Sequence, residues 1–143
     1  MRISIIVPTF NNLNYLKLFL KSIKDNSNYN HEIIIHVNDG SDGTLDFVKK
    51  NKIKHTYSET NIGLCSAVNY AVEISTTDYI MYTHDDMFFC KNWDLYLENI
   101  VKLQKNNLFY LSGKTISNND TKDDFRCGLT PDVFNQSIFE NFC

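Results

Sequence analysis

The chain has 143 residues, a net charge of -3, 43% hydrophobic and 22% charged residues. That suits one globular domain with one core, and is too apolar for a disordered chain. The acidic balance excludes a general binder of nucleic acid, and no apolar run reaches the roughly 20 residues that cross a bilayer.

Residues 3–7, Ile3-Ser4-Ile5-Ile6-Val7, form a β-branched apolar run that predicts a strand buried on both faces. The run is too short for a signal peptide, and Pro8 is expected to end it. Leu13, Leu16, Leu20 and Ile23 recur at helical spacing and predict a helix over 13–24. Residues 26–30 read as a polar loop. A second buried strand spans 33–37, followed by the turn Asn38-Asp39-Gly40-Ser41-Asp42-Gly43-Thr44 and a short helix over 45–51. Residues 53–57 predict a third strand. Asn61-Ile62-Gly63 forms a turn before a helix over 64–74. A fourth strand, 78–82, leads into Thr83-His84-Asp85-Asp86. A helix over 93–103 is expected to turn Trp93, Leu97, Ile100 and Val101 inward. Residues 108–111 read as a strand, 118–124 as a polar loop and 131–139 as a last helix. The four cysteines, Cys65, Cys90, Cys127 and Cys143, have no metal-site spacing. They read as free thiols in a reducing, cytoplasmic setting.

Strands alternating with helices predict a three-layer α/β fold around a mainly parallel sheet, as a single domain over 1–143. Its regular pattern fills 1–112. Such sheets bind ligands beyond the carboxyl ends of their strands. That rule selects the loops at 8–12, 38–44 and 83–87, which also hold the least ordinary sequence.

Asp85 and Asp86 are adjacent carboxylates after an apolar strand. Their mutual repulsion is costly unless a cation or hydrogen-bond donors compensate it. Mg²⁺ or Mn²⁺ prefers such oxygen ligands and bridges to phosphates. The plain alternative is a solvated turn. Asp39 can accept from an imide N–H of a base, while Asp42 or Ser41 suits a helix cap. Pro8, Thr9 and Asn11 form the first loop, where Thr9 and Asn11 could reach a base or ribose. Asn61 and Gly63 precede a helix whose N-terminal N–H groups suit a phosphate. His84 reads as a turn histidine. Phe88, Phe89 and Trp93 read as core.

Four segments in this order carry a resemblance: residues 5–12, then 37–44, then Asn61-Ile62-Gly63 with Ala67 and Asn69, then Asp78-Tyr79-Ile80 leading to His84-Asp85-Asp86. Together they resemble glycosyltransferase family 2, with its Rossmann-like GT-A nucleotide-diphospho-sugar-binding fold, over roughly the first hundred residues. The resemblance implies transfer of a sugar from a nucleoside-diphosphate sugar, often a UDP-sugar, to an acceptor hydroxyl, with inversion. It implies nucleobase and ribose contacts from Thr9 and Asp39. Asp85 and Asp86 would stand at the family's acidic DxD-type position, one touching ribose and one, Asp86 before Asp85, holding Mn²⁺ or Mg²⁺. Three residues depart from the pattern. Thr83 replaces the usual first Asp, Asn38 replaces an Asp, and Leu64 replaces a basic residue near the diphosphate. Family domains continue well past this length into the acceptor site, so the chain reads as a truncated, donor-binding half. Asp132 and Glu140 are the late acidic candidates for a base, and no catalytic base is assigned. Apolar surface left where the remaining part would dock favours self-association. The competing reading is a nucleotide-sugar-binding module without turnover. A sugar nucleotidyltransferase would want a Gly- and Arg/Lys-rich first loop, which 8–12 lacks.

Overall fold

The computed structural model of the chain describes residues 1–113, 127–128 and 130–141. Four strands form one sheet in the order β3-β2-β1-β4: β1 is Ser4–Phe10, β2 Glu32–Asn38, β3 Lys54–Ser58 and β4 Ile80–Tyr82. All three pairings are parallel, with Ser4 beside Glu32 on one side and beside Ile80 on the other. The connections are α1 (Leu13–Asn26), α2 (Thr44–Lys50) and α3 (Leu64–Glu73); α4 (Trp93–Lys102) follows β4, and α5 (Gln136–Glu140) closes the described chain.

The alternation of side chains along β1 divides the core between two faces. Ile3, Ile5 and Val7, with Ile35 and Val37 of β2, pack on Leu16, Phe19 and Ile23 of α1 and Val48 of α2. Ile6 and Ile34 face the other way, against Ala71 of α3. Small residues at Ala67 and Ala71 bring α3 close to the sheet, and both are fully buried. Full burial of side chains such as Leu16 and Phe19 contributes about 1.5–3 kcal/mol each. The expected three-layer, parallel α/β architecture is therefore present. Phe89, Trp93 and Leu97 pack against the first face, in agreement with their reading as core residues.

Several elements differ from expectation for identifiable reasons. β1 runs through Pro8 to Phe10 instead of stopping at Val7. Ser4 N–H donates to Tyr79 and Ile6 accepts from Thr83 N–H, so even-numbered residues of β1 bond toward β4. Pro8 is the next residue of that set, and β4 has already ended at Tyr82, so its missing N–H breaks no ladder bond. Residues 108–111 form no strand: Leu108 and Tyr110 are 92% and 90% exposed, with no neighbouring strand among the described residues to complete a ladder. Ile100 is exposed rather than inward, because α4 turns its Trp93 and Leu97 side to the core. The segment 131–139 is broken into a 3-10 turn at Pro131–Val133 and α5, since Phe134 is extended and Asn135 caps α5 by accepting Ile138 N–H.

Cys65 and Cys127 are free thiols, but Cys90 is disulfide-bonded, which corrects the reading of all cysteines as free. Spacing alone could not show the approach. Phe139 of α5 packs on Phe88, two residues before Cys90, and brings the C-terminal helix to that loop. The loop expected at 118–124 and Cys143 lie outside the described residues. Among the described residues, no helix is long and apolar enough to cross a membrane.

Candidate ligand-binding site

α1 and α2 lie on one face of the sheet and α3 on the other. The connection therefore changes side between β1 and β4, and the carboxyl ends of these two strands flank the topological switch point. Asp85 stands there. It is 8% exposed and both its oxygens are engaged across the gap. Thr9 Oγ1 donates to Oδ2 at 2.5 Å and Asn12 Nδ2 donates to Oδ1 at 3.0 Å. Burial raises the Asp85 carboxyl above its ordinary range, these two bonds oppose the shift, and the charge of Asp86 adds to it. Asp86 is exposed and makes no hydrogen bond or ion pair among the described residues.

The first loop is stitched to the second as well. Asn11 Nδ2 donates to Asp39 Oδ2 at 2.9 Å and to Ser41 Oγ at 3.2 Å. Asn11 and Asp39 both hold positive φ, 47° and 63°, a conformation that short polar side chains tolerate best. Asn11 Oδ1 is buried and has no partner among the described residues, so one acceptor at this edge is unused. Gly40, at φ 76°, admits no side chain, because a Cβ there would stand 2.8 Å from Val37 Cγ1.

Asp42 serves as a cap, as expected. Its Oδ1 accepts Thr44 N–H at 3.0 Å, and its Oδ2 accepts Leu13 N–H at 2.9 Å. One carboxylate thus serves the starts of α2 and α1, which leaves Asn12 free to reach Asp85. Burial pushes the Asp42 carboxyl up, but hydrogen bonds from Thr44 and Leu13 outweigh it and hold it below the ordinary range.

The third part of the edge is the turn before α3. Asn61 Oδ1 accepts Gly63 N–H at 2.9 Å, so the Asn61 side chain shapes its own turn. Gly63 holds φ 81° and leaves α3 with no side-chain cap. His84 pairs with Tyr82 at 2.9 Å and with no carboxylate, in keeping with a turn histidine.

The structure therefore brings Thr9 to Asp85 and Asn11 to Asp39 in two hydrogen-bonded groups at this edge, and Pro8 precedes Thr9 in β1. Asn61 and Gly63 flank it through the start of α3. Sequence reasoning did not single out Asn12, which holds Asp85. Its only signal was a second asparagine directly after a strand whose helix found another cap.

The four segments that make the edge, 8–12, 38–44, 59–63 and 83–87, hold no Lys or Arg and hold Asp39, Asp42, Glu59, Asp85 and Asp86. No group of three metal-ligating side chains exists among the described residues. The donor set still fits a hard cation of the Mg²⁺ or Mn²⁺ kind. Such ions commonly take one or two carboxylates and complete their shell with water and phosphate oxygens. Asp86 presents an unshared carboxylate for that purpose. Each Asp85 oxygen accepts one bond and retains a second lone pair.

The family model described as glycosyl transferase family 2 matches residues 4–129. The chain belongs to glycosyl transferase family 2. Among curated relatives, an uncharacterized glycosyltransferase of Rickettsia bellii is 27% identical over 143 residues, covering 96% of this chain and 20% of the relative. The chain thus spans about a fifth of that relative's length. Among solved structures, S. aureus TarS 1–349 in complex with UDP superposes with a TM-score of 0.62 at 24% identity, over 71% of this chain and 32% of TarS. The mannosyltransferase PcManGT of Pyrobaculum calidifontis, in complex with GDP-Man and Mn²⁺, gives 0.57 at 24% identity, over 73% and 32%. These likenesses establish the GT-A-like fold of this family 2 chain.

Proposed function

We propose that this family 2 chain is the donor-binding part of a glycosyltransferase. The donor is a nucleoside-diphosphate sugar, in the first instance a UDP-sugar. The sugar passes to an acceptor hydroxyl with inversion, assisted by Mn²⁺ or Mg²⁺. The observation that carries the reading is the Thr9–Asp85 hydrogen bond across the switch point, with Asp86 exposed beside it. TarS, which was solved with UDP, and PcManGT, solved with GDP-Man and Mn²⁺, share the fold and support the choice of ligand class.

The chemistry of the edge assigns the roles. Asp39, with the unused Asn11 Oδ1 beside it, offers acceptors to the N–H of a base or to ribose hydroxyls. Thr9 and Asn12 hold Asp85 toward the ribose. Asn61 and Gly63 set the uncapped start of α3, whose N–H groups face the diphosphate. The four edge segments hold no Lys or Arg to offset a diphosphate, so a hard cation would supply that charge, and Asp86 ahead of Asp85 would hold it. A bound divalent cation neutralises charge gathering on the departing diphosphate. The acceptor side and the base that takes the acceptor proton are assigned to parts of the enzyme outside this edge.

A thermal-shift titration tests the reading, with UDP, GDP, dTDP and CDP each tried with and without Mn²⁺. A ligand that binds only the folded chain stabilises it by mass action, by about 2.7 kcal/mol at a hundredfold excess over Kd, and so raises the melting temperature. A shift for UDP that needs the metal is expected. No shift with any nucleotide from a folded sample overturns the donor assignment. A second reading is a binding module without turnover. Slow metal-dependent hydrolysis of a UDP-sugar separates the two.

A further inference from the structure

Asn38 ends β2 at the centre of the edge, in register with Phe10 of β1 and Ser58 of β3. It is 4% exposed, and its side chain meets three other segments. Oδ1 accepts Ile62 N–H at 3.0 Å and lies 3.2 Å from Ser58 Oγ. Nδ2 donates to the Thr9 carbonyl at 3.4 Å. The orientation of the amide is fixed by its neighbours, because a backbone N–H must meet its oxygen and a carbonyl must meet its nitrogen. Ser58 Oγ also donates to Thr60 O at 2.7 Å, and His36 Nε2 lies 3.2 Å from it, so the arrangement is backed from beneath.

We infer that Asn38 is the positioning residue of the donor edge, tying the Thr9 loop and the Ile62-Gly63 turn to the end of β2. Thr9 carries the hydroxyl that holds Asp85, and Ile62-Gly63 sets the start of α3. The two halves of the ligand edge, ribose side and diphosphate side, thus share one side-chain amide. Only an amide serves both partners. A carboxylate here accepts from Ile62 N–H but turns a second acceptor against the Thr9 carbonyl, whereas a protonated carboxyl restores the donor. The inference rests on the proposed donor site, and its test keeps the two separable.

The experiment compares Asn38→Asp, Asn38→Ala and the parent chain. Binding of UDP with Mn²⁺ is measured at several pH values, and amide hydrogen exchange at Ile62 and Gly63 is measured without ligand. At pH 7.5, Asn38→Asp is expected to bind UDP about tenfold more weakly, the effect of one buried bond lost with its partner stranded. The ratio of variant to parent affinity is expected to recover as the pH is lowered and the new carboxyl protonates. Taking the ratio removes the titration of Asp39, Asp85, Asp86 and His36, which both chains share. Exchange at Ile62 should quicken in Asn38→Ala relative to the β1 and β2 amides, which report whether the sheet is intact. A ratio independent of pH, or Ile62 exchange unchanged from the parent, overturns the positioning role. Failure of the parent itself to bind UDP overturns the donor assignment, and the exchange measurement then still decides the role of Asn38.

Discussion

The two ends of one parallel sheet treat acidic side chains in opposite ways. At the amino ends of the strands, Glu32 accepts from Lys54 Nζ at 2.7 Å, from Ser4 Oγ at 2.5 Å and from both the N–H and the hydroxyl of Thr76 at 2.9 Å. Burial raises this carboxyl, but those donors outweigh it and hold it at about 2. Asp94, buried at the start of α4, accepts from Asn28 N–H, Tyr29 N–H, Asn28 Nδ2 and His31 Nε2. Since His31 Nδ1 accepts Ile3 N–H, the ring is neutral, and burial lowers its affinity for a proton. At the carboxyl ends, Asp85 has two donors and a raised carboxyl, and Asp86 has no partner among the described residues. The amino end commits both carboxylates to the fold; at the carboxyl end Asp42 does the same for α1 and α2, whereas Asp86 is unshared among the described residues.

The contrast can be broken most directly at Asp86. Asp86→Ala should remove the metal-dependent part of nucleotide affinity and leave the melting temperature unchanged. Calorimetric titration of UDP with and without Mn²⁺ checks this, and an unaltered metal dependence would sink the metal assignment. Glu32→Gln should do the reverse. Losing the Lys54 pair and weakening three further bonds costs about 2 kcal/mol of stability in denaturant melts, with UDP affinity kept in the fraction that remains folded.

Acid sharpens the same comparison. Glu32 titrates near 2 in the fold against 4.5 unfolded, so its contribution is complete above about 4.5 and is lost as the pH falls toward 2. The parent chain should lose stability across that window, and Glu32→Gln should show a shallower loss in urea melts at each pH. The smallest effect is expected at Asp85→Asn. A folded carboxyl raised above its unfolded value binds protons more tightly in the fold, so its ionised form at neutral pH opposes folding. Removing that charge should leave stability within about 0.5 kcal/mol of the parent or slightly above it. A fall of the size expected at Glu32 would place Asp85 with the structural acids.

The parallel order of elements and the three loops at the ligand edge were legible in the sequence, because apolar runs of strand length alternate with helical spacing and end in polar turns. The division of labour inside those loops was not. Nothing in Pro8-Thr9-Phe10-Asn11-Asn12 tells which asparagine turns to Asp39 and which to Asp85; that follows from the positive φ of Asn11 and from Asp42 taking over the cap of α1. The extent of β1 was misjudged at Pro8 because the cost of a missing N–H depends on whether a neighbour faces it, and that is fixed only when β4 stops short. Residues 108–111 have a strand's composition but no neighbouring strand among the described residues. The Cys90 disulfide is a tertiary contact that sequence spacing cannot express.

β1 pairs with β2 close by in sequence and with β4 only after two further helices and β3 have been made. Loop-closure entropy makes the nearer pairing easier to form first. During synthesis from the amino end, Thr9, Asn12 and Asp39 can be set on a ledge of three strands before Asp85 leaves the ribosome. The last short strand then carries Asp85 to Thr9 and Asn12, partners that already wait for it.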